Sequence, residues 1–207
     1  MERDEAEQVL DFWFPRRMSE DREALARQAE WWFRGGADAA IVERFRPLLE
    51  RAERGELNAW SGEARSRLAL ILVLDQFSRT IHRGTARAYA QDANAVALAL
   101  EGIDAGHYAA LATPWQKTFF MLPLGHSEDL RHVERAVALA EELVAEASEP
   151  CRWWFEFSAG QARANRDEIR RFGRHPHRNE ILGRRSTAEE LEHLARGELI
   201  HTRPVPR

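Results

Sequence analysis

The chain has 207 residues, 44% of them hydrophobic and 31% charged, which is enough to bury a sizeable core and is unlike a disordered protein. Its formal net charge of −4 provides no overall positive field, which argues against nucleic acid as a partner. One cysteine, an acidic N-terminus and the lack of a long apolar run argue against disulfides, a signal peptide and a membrane segment, so we expect a cytoplasmic protein.

Helical patterns recur along the whole chain, whereas alternating strand patterns with hairpin turns are missing. We therefore predict an all-α fold of about nine helices with short connections, in a single domain that covers residues 1–207. Proline, glycine and capping residues mark the ends of most helices. In chain order the predicted helices cover 6–14, a short segment ending at 33, 37–55, 65–81, 93–103, a segment from 114 that Pro123 limits, 127–147, 153–172, and a last helix that opens with a capping box at 186–189.

The helix predicted for 65–81 is the most buried, because seven apolar residues from 68 to 74 leave almost no solvent-facing side. Helical spacing places Asp75, Arg79 and Arg83 on the side that this apolar run buries. Asp75 could therefore be a desolvated carboxylate held by Arg79, an arrangement whose cost is tolerated more often at functional sites. The alternative is an ordinary pair between residues four apart, and the sequence leaves both open.

The segment 122–130, LPLGHSEDL, changes from apolar to densely polar within a few residues. Ser127 is the predicted N-cap of the next helix, and Glu128 and Asp129 lie in its first turn, where the helix dipole favours acids. His126 would then lie beside exposed N–H groups, which favours a neutral imidazole that Glu128 or Asp129 orients for acid/base chemistry. The alternative is a well-capped helix start, which explains the last three of these residues but not the histidine.

A third polar cluster follows the helix that ends at Gly173. Pro176 restricts the backbone there, and His177, Arg178 and Asn179 follow directly. Polar surface loops are common, so this segment alone does not define a site. The gathering of these three side chains at a turn framed by glycine and proline favours a role in ligand binding.

Two carboxylate and histidine pairs have the spacing of metal ligands on a helix, Asp129 with His132 and Glu190 with His193. Such spacings arise easily by chance in a chain with 34 acidic residues and 8 histidines, so neither a metal nor another cofactor is predicted. A serine hydrolase is not indicated either, because a G-x-S-x-G motif is missing.

Four segments carry a resemblance to a known bacterial family: DFWF at 11–14, LALILVLDQFSRTIHRGTARAYAQDANA at 68–95, LPLGHSEDL at 122–130 and FGRHPHRNEILGRRST at 172–187. In content and order they resemble the family catalogued as domain of unknown function 924. The resemblance implies an all-α fold similar to tetratricopeptide (TPR-like) arrays, with helices packed as antiparallel hairpins. It implies no activity.

The polar motifs of that family fall on three groups of positions in this chain. They are Asp75, Gln76, Arg79 and Arg83; His126, Ser127, Glu128 and Asp129; and His177, Arg178 and Asn179. The chain departs from the family pattern at Ser78, where proline is usual, at Thr80, where asparagine is usual, and at His175, where an aromatic residue is typical.

Together these observations lead to the hypothesis that the three clusters converge on one pocket for a small anionic molecule. Arginines would bind the anion through forked donors, His126 would be the acid/base group, and Asp75 would fix the arginines. The predicted ligand-binding residues are Gln76, Arg79, Arg83, Ser127, His177, Arg178 and Asn179, and the predicted catalytic residues are Asp75, His126, Glu128 and Asp129.

Two alternatives stay open at this point. In the first, a TPR-like array binds a peptide or protein partner in a groove without catalysis. In the second, the polar clusters are buried networks that only fix how the helices pack. The sequence defines neither the substrate nor the oligomeric state, and it does not decide whether a reaction takes place.

Overall fold

Nine helices and no strand make up the part of the chain that the computed structural model describes, residues 2–16, 18 and 20–197. The predicted all-α class is therefore confirmed, and one hydrophobic core joins the helices into a single compact domain. The last residues of the predicted domain, 198–207, lie outside the described residues. The helices are α1 (Glu2–Trp13), α2 (Arg22–Phe33), α3 (Asp38–Glu53), α4 (the consecutive segments Ala64–Ile71, Leu72–Phe77 and Ser78–Ile81), α5 (Asp92–Asp104), α6 (Pro114–His126), α7 (Leu130–Glu146), α8 (Arg152–Phe172) and α9 (Ala188–Ala195).

Helix α4 lies at the centre of the fold, packed against α1, α3, α5 and α6. None of the residues from Leu68 to Leu74 is more than 3% exposed, as the apolar run predicted. Burial of a leucine or valine side chain contributes about 1.5–3 kcal/mol, so this run holds the neighbouring helices together. Phe77 continues the buried side into an aromatic cluster, with its ring 5.6 Å from that of Trp13 and 4.9 Å from that of Phe45.

The second half of the chain is built from consecutive helices that pack on one another. A connection of three residues joins α6 to α7, and α7 packs along α8 after a similarly short connection. These hairpins are compatible with a TPR-like array. Gly173 ends α8 in the left-handed conformation, with φ 69°, and so turns the chain back towards α4. No helix in the described ranges is both long enough and apolar enough to cross a membrane.

Helix boundaries differ from the prediction at the end of α6 and at the start of α7 and α9. Pro123 does not limit α6, which continues to His126, because a proline inside a helix removes one hydrogen bond without ending the helix when packing supports it. The last capping box uses Thr187 and Glu190, not Ser186 and Glu189. The Ser186 hydroxyl instead accepts a hydrogen bond from the Asn179 amide, at 3.0 Å.

Candidate functional site

The polar end of α4 begins with a π-helical turn, Leu72–Phe77. The backbone N–H of Ser78 donates to the carbonyl oxygen of Val73, five residues back, and the Ser78 hydroxyl donates to the carbonyl oxygen of Leu74. Such turns are rare in proteins and occur frequently at functional sites. This one contains Asp75 and Gln76, and the sequence prediction of a regular α-helix here missed it.

Asp75 is 1% exposed, and its carboxylate accepts hydrogen bonds from three side chains. Its Oδ1 accepts from Nδ1 of His126 at 2.8 Å and from Nη2 of Arg79 at 3.2 Å, and its Oδ2 accepts from Nε2 of Gln76 at 2.6 Å. Burial pushes the pKa of Asp75 up, but the charges of His126 and Arg79 and the hydrogen bonds outweigh it, so the pKa lies well below its ordinary value of 3.8. The carboxylate is therefore ionised, and His126 Nδ1 carries a proton.

A second carboxylate, Asp92, joins two arginines that are 99 positions apart in the chain, Arg79 and Arg178. Its Oδ1 accepts from Nη2 of Arg79 and its Oδ2 from Nη1 of Arg178, both at 3.0 Å. Nη2 of Arg178 also donates to the backbone carbonyl of His126 at 3.0 Å. The first residue of α5 thus links the end of α4 to the turn that follows α8.

Both guanidinium groups also lie against the ring of Tyr89. The Cζ atom of Arg79 is 5.3 Å from the ring centroid and that of Arg178 is 4.7 Å from it, within the range of cation–π attraction. We refer to Asp75, Arg79, Tyr89, Asp92, His126 and Arg178 as the arginine cluster.

Three donors of the arginine cluster are buried without a hydrogen-bond partner: Nε and Nη1 of Arg79 and Nε of Arg178. Burial and the nearby charge of Arg79 lower the pKa of Arg178, although arginine stays protonated in proteins. Burial also opposes the charge of Arg79, but Asp75 and Asp92 outweigh it and raise its pKa. The cluster therefore holds two cations whose donors are only partly used.

The predicted surroundings of His126 were wrong. His126 is the last residue of α6, so the negative end of a helix dipole lies beside it, not the exposed N–H groups of a helix start. The reason given for a neutral imidazole therefore does not apply. The carboxylate that orients its ring is Asp75, and neither predicted acid does so.

Glu128 binds a different part of the molecule. Its carboxylate accepts from Nη1 and Nη2 of Arg184, at 2.7 and 3.0 Å, and from the backbone N–H of His175 at 2.8 Å. Burial raises the pKa of Glu128, but the hydrogen bonds from Arg184 and His175 outweigh it and lower the pKa. Glu128 thus fixes the turn after α8.

The N-cap of α7 is Asp129, and not Ser127 as predicted. Asp129 is the N-cap of α7, where its side chain accepts from the backbone N–H of Arg131 at 2.9 Å and also pairs with the Arg131 guanidinium. The Ser127 oxygen accepts from the backbone N–H of Asp129 at 3.1 Å and lies 2.9 Å from Nδ1 of His132. In the described part of the chain, the side chains of Ser127 and Asp129 bind residues at the start of α7 and not the arginine cluster.

The remaining predicted residues divide between the cluster and its surroundings. Arg83 lies beyond the end of α4, is 64% exposed and pairs with Asp38 at 2.8 Å, so it does not contribute to the cluster as predicted. Asn179 is buried, and its side-chain amide donates to the Ser186 hydroxyl, whereas its Oδ1 has no hydrogen-bond partner. The His177 ring lies 5.4 Å from that of His175.

The two carboxylate and histidine pairs considered as metal ligands make other contacts in the structure. His132 contacts Ser127 while Asp129 pairs with Arg131, and Glu190 pairs with Arg174 through both oxygens, at 2.6 and 2.8 Å. His193 instead contacts Glu168, at 3.2 Å.

Five of the predicted residues therefore meet: Asp75, Gln76, Arg79, His126 and Arg178. Tyr89 and Asp92 join them and were missed, although both lie within the family-like segment 68–95. Acidic residues are common in the first turn of a helix, where they interact favourably with the helix dipole. Asp92 therefore did not stand out in the sequence as a candidate site residue.

A cavity of about 500 Å³ lies elsewhere, between the end of α1, the start of α6 and the start of α8. Its walls include Phe14, Thr113, Trp115, Cys151 and Phe155, and no member of the arginine cluster lines it. No histidine is among the described residues that line it, so we assign the candidate site to the arginine cluster, which contains one.

Comparisons with known proteins agree with this architecture. Residues 9–198 match a family model described as "Bacterial protein of unknown function (DUF924)". The solved structure of a protein of unknown function, ATU0120 from Agrobacterium tumefaciens, is 35% identical with a TM-score of 0.72, and the match covers 94% of this chain and 99% of that one. No curated protein matches the chain. Neither description supplies an activity.

Proposed function

Given that the chain belongs to the bacterial family DUF924, whose function is unknown, we propose that it binds a small anionic molecule at the arginine cluster. The observation that carries this proposal is the set of three buried guanidinium donors without a partner, two on Arg79 and one on Arg178. Buried donors are nearly always hydrogen-bonded in proteins, so an acceptor from outside the chain would satisfy them.

An anion fits these donors better than a neutral acceptor does. The oxygens of Asp75 and Asp92 already accept five hydrogen bonds from four side chains, so the protein's own carboxylates are engaged. Carboxylate and phosphate groups are the acceptors that arginine binds most strongly, because both sides carry charge. A metabolite with a carboxylate or phosphate group is thus the ligand class we propose, and we propose the cytoplasm as the place where the protein meets it.

The pairing of His126 with Asp75 adds acid/base chemistry to the proposal. With Nδ1 bonded to a buried carboxylate, Nε2 is the ring nitrogen left to exchange a proton with a ligand. The His126 side chain is 22% exposed, so a small molecule can approach it. In this proposal Asp75 and His126 are the catalytic residues, while Glu128 and Asp129 act elsewhere.

A thermal-shift titration of the full chain tests the binding proposal. The probes are inorganic phosphate, succinate and citrate at constant ionic strength. A ligand at 100 times its Kd should stabilise the native state by about 2.7 kcal/mol, because it binds the folded form alone. Arg178→Lys keeps the charge and removes the fork, and it should abolish most of this stabilisation.

Arg83→Lys is the matched control, because Arg83 is the predicted anion ligand that lies outside the cluster. It should respond to the probe like the unchanged protein. If no probe stabilises the chain, or if both arginine variants respond equally to the probe that does, the arginine cluster is not an anion site.

A further inference from the structure

A second group of polar side chains lies at the end of α8 and the turn that follows it. Glu168 belongs to the last turns of α8, and His175 and His177 lie on the two sides of Pro176 after Gly173 has reversed the chain. One ligand atom from each of Glu168, His175 and His177 lies within 4.8 Å of the others. Within residues 2–16, 18 and 20–197, no other group of three or more His, Cys, Asp or Glu side chains is close enough to share an ion.

From this geometry we infer that Glu168, His175 and His177 form a binding site for a divalent transition metal of the zinc class. Ligands of a tetrahedral zinc ion lie roughly 3.3 Å apart when its bonds are about 2.0–2.1 Å long. To hold an ion, Oε2 of Glu168 and Nδ1 of His175, now 2.5 Å apart, would have to separate slightly, and ligand atoms that are up to 4.8 Å apart would have to approach. The site shares no residue with the arginine cluster, although Arg178 follows His177 in the chain, and it does not depend on the function proposed there.

The environment of Glu168 supports a cation. Its side chain is 3% exposed, and its Oε2 and Oε1 contact Nδ1 of His175 at 2.5 Å and Nε2 of His193 at 3.2 Å. Within the described chain, both of these partners are imidazoles, and neither is a lysine or arginine. A buried carboxylate is costly unless a positive charge is close, and a divalent ion would provide that charge.

His175 provides the second argument. His175 is 2% exposed. Its Nδ1 contacts Oε2 of Glu168, whereas its Nε2 is buried without a hydrogen-bond partner. Because Nδ1 already points at Oε2 of Glu168, an ion bound by Nδ1 would replace this direct contact and would be shared by the imidazole and the carboxylate.

The backbone around His175 is also held in place. Its N–H donates to Glu128 at 2.8 Å and its carbonyl accepts from Arg184 at 3.1 Å, and these two side chains bind each other. The imidazole therefore has a fixed starting position, which a metal site requires of its ligands. This gives Glu128, predicted as catalytic, a positioning role.

The donor set indicates which metals fit. Two imidazoles and one carboxylate suit Zn²⁺ and neighbouring transition metals, whereas Ca²⁺ and Mg²⁺ prefer oxygen ligands throughout. Three protein ligands would leave one position of a tetrahedral ion for water or another molecule.

Metal titration of the full chain after chelator treatment tests the inference. Calorimetry should show one Zn²⁺ bound per chain, Co²⁺ should develop the visible absorption of a tetrahedral complex, and Mg²⁺ and Ca²⁺ should bind at least tenfold more weakly. His177→Ala removes a partly exposed ligand without opening the core, and it should weaken Zn²⁺ binding at least tenfold. Glu168→Gln should weaken it as well.

His132→Ala is the control, since it removes one partly buried imidazole whose contact is with Ser127. It should bind Zn²⁺ like the unchanged chain. The inference is overturned if no Zn²⁺ binds, if His177→Ala and His132→Ala bind it equally, or if Mg²⁺ binds as well as Zn²⁺. Circular dichroism of each variant in chelator checks that the fold is retained before the comparison is made.

Discussion

Arg79 and Arg174 both bind carboxylates, but they use their donors differently. Arg174 directs Nε and Nη2 at the two oxygens of Glu190, at 2.6 and 2.8 Å. Arg79 directs Nη2 alone at both Asp75 and Asp92, which leaves Nε and Nη1 without partners. The same residue type therefore completes a structural pair in one region and keeps unused hydrogen-bonding capacity in the other. That difference separates a network that fixes the fold from a candidate site.

The largest effect should follow from removing the carboxylate at the centre of the arginine cluster. Asp75→Ala leaves Arg79 and His126 without their buried partner, and breaking such a pair costs about 3–5 kcal/mol. Urea unfolding followed by circular dichroism measures this loss of stability. A cost below about 1 kcal/mol, the size found for exposed pairs, would remove the distinction between the two regions.

The pH dependence of that loss follows from the pKa of Asp75. The pKa is lowered in the folded state by His126 and Arg79 against the opposing effect of burial, so the stabilisation is complete above the ordinary value of 3.8 and is lost as the pH falls below it. The difference in unfolding free energy between the unchanged chain and Asp75→Asn should therefore shrink as the pH falls from about 5 towards 2. A difference that grows on acidification would contradict this assignment.

A smaller effect is expected in the region of Arg174. Thr187→Ala removes the N-cap of α9, where the hydroxyl accepts from the Glu190 backbone at 3.2 Å, and such caps are worth about 1 kcal/mol. The Glu190 pKa is about 2 because of the hydrogen bond from Arg174, and that pair stays in place. Thermal melts with and without phosphate should show lower stability and an unchanged phosphate response. Loss of the response would mean that the two regions are coupled.

The smallest effect is expected at Arg83. Its side chain is 64% exposed and its pair with Asp38 faces solvent, so Arg83→Ala should change the unfolding free energy by no more than about 0.5 kcal/mol. Urea unfolding at low and at high salt tests this. A large loss would show that the segment after α4 carries more of the fold than its contacts indicate.

The fold was largely predictable because apolar periodicity reports burial directly. The run from 68 to 74 identified the central helix, and Thr113 with Pro114 correctly marked the start of α6. The winding of α4 was not predictable, since a π turn depends on what packs around it and not on the preferences of its own residues.

The residues of the candidate site were predictable only in part. The polar motifs identified Asp75, Arg79, His126 and Arg178, which do meet, but the partners assigned to His126 were wrong because Pro123 was taken as the end of α6. That error placed the histidine on the following helix and its acid among the next three residues. The actual acid lies 51 positions away, and a pairing at that distance has no local signal in one sequence.

The π turn of α4 makes the winding of the backbone a determinant of the arginine cluster. It contains one residue more than an ordinary helical turn, and the N–H of Ser78 bonds to Val73 where regular winding would bond it to Leu74. Regular winding of the same residues would rotate the segment from Ser78 by about 100° relative to the helix before it. Arg79 would then be turned away from Asp92, its present partner on α5, although every contributing side chain would still be present. In evolution, a single-codon deletion in the turn could be absorbed by regular winding, so the bulge itself can be lost in one step while the segment from Ser78 keeps its orientation.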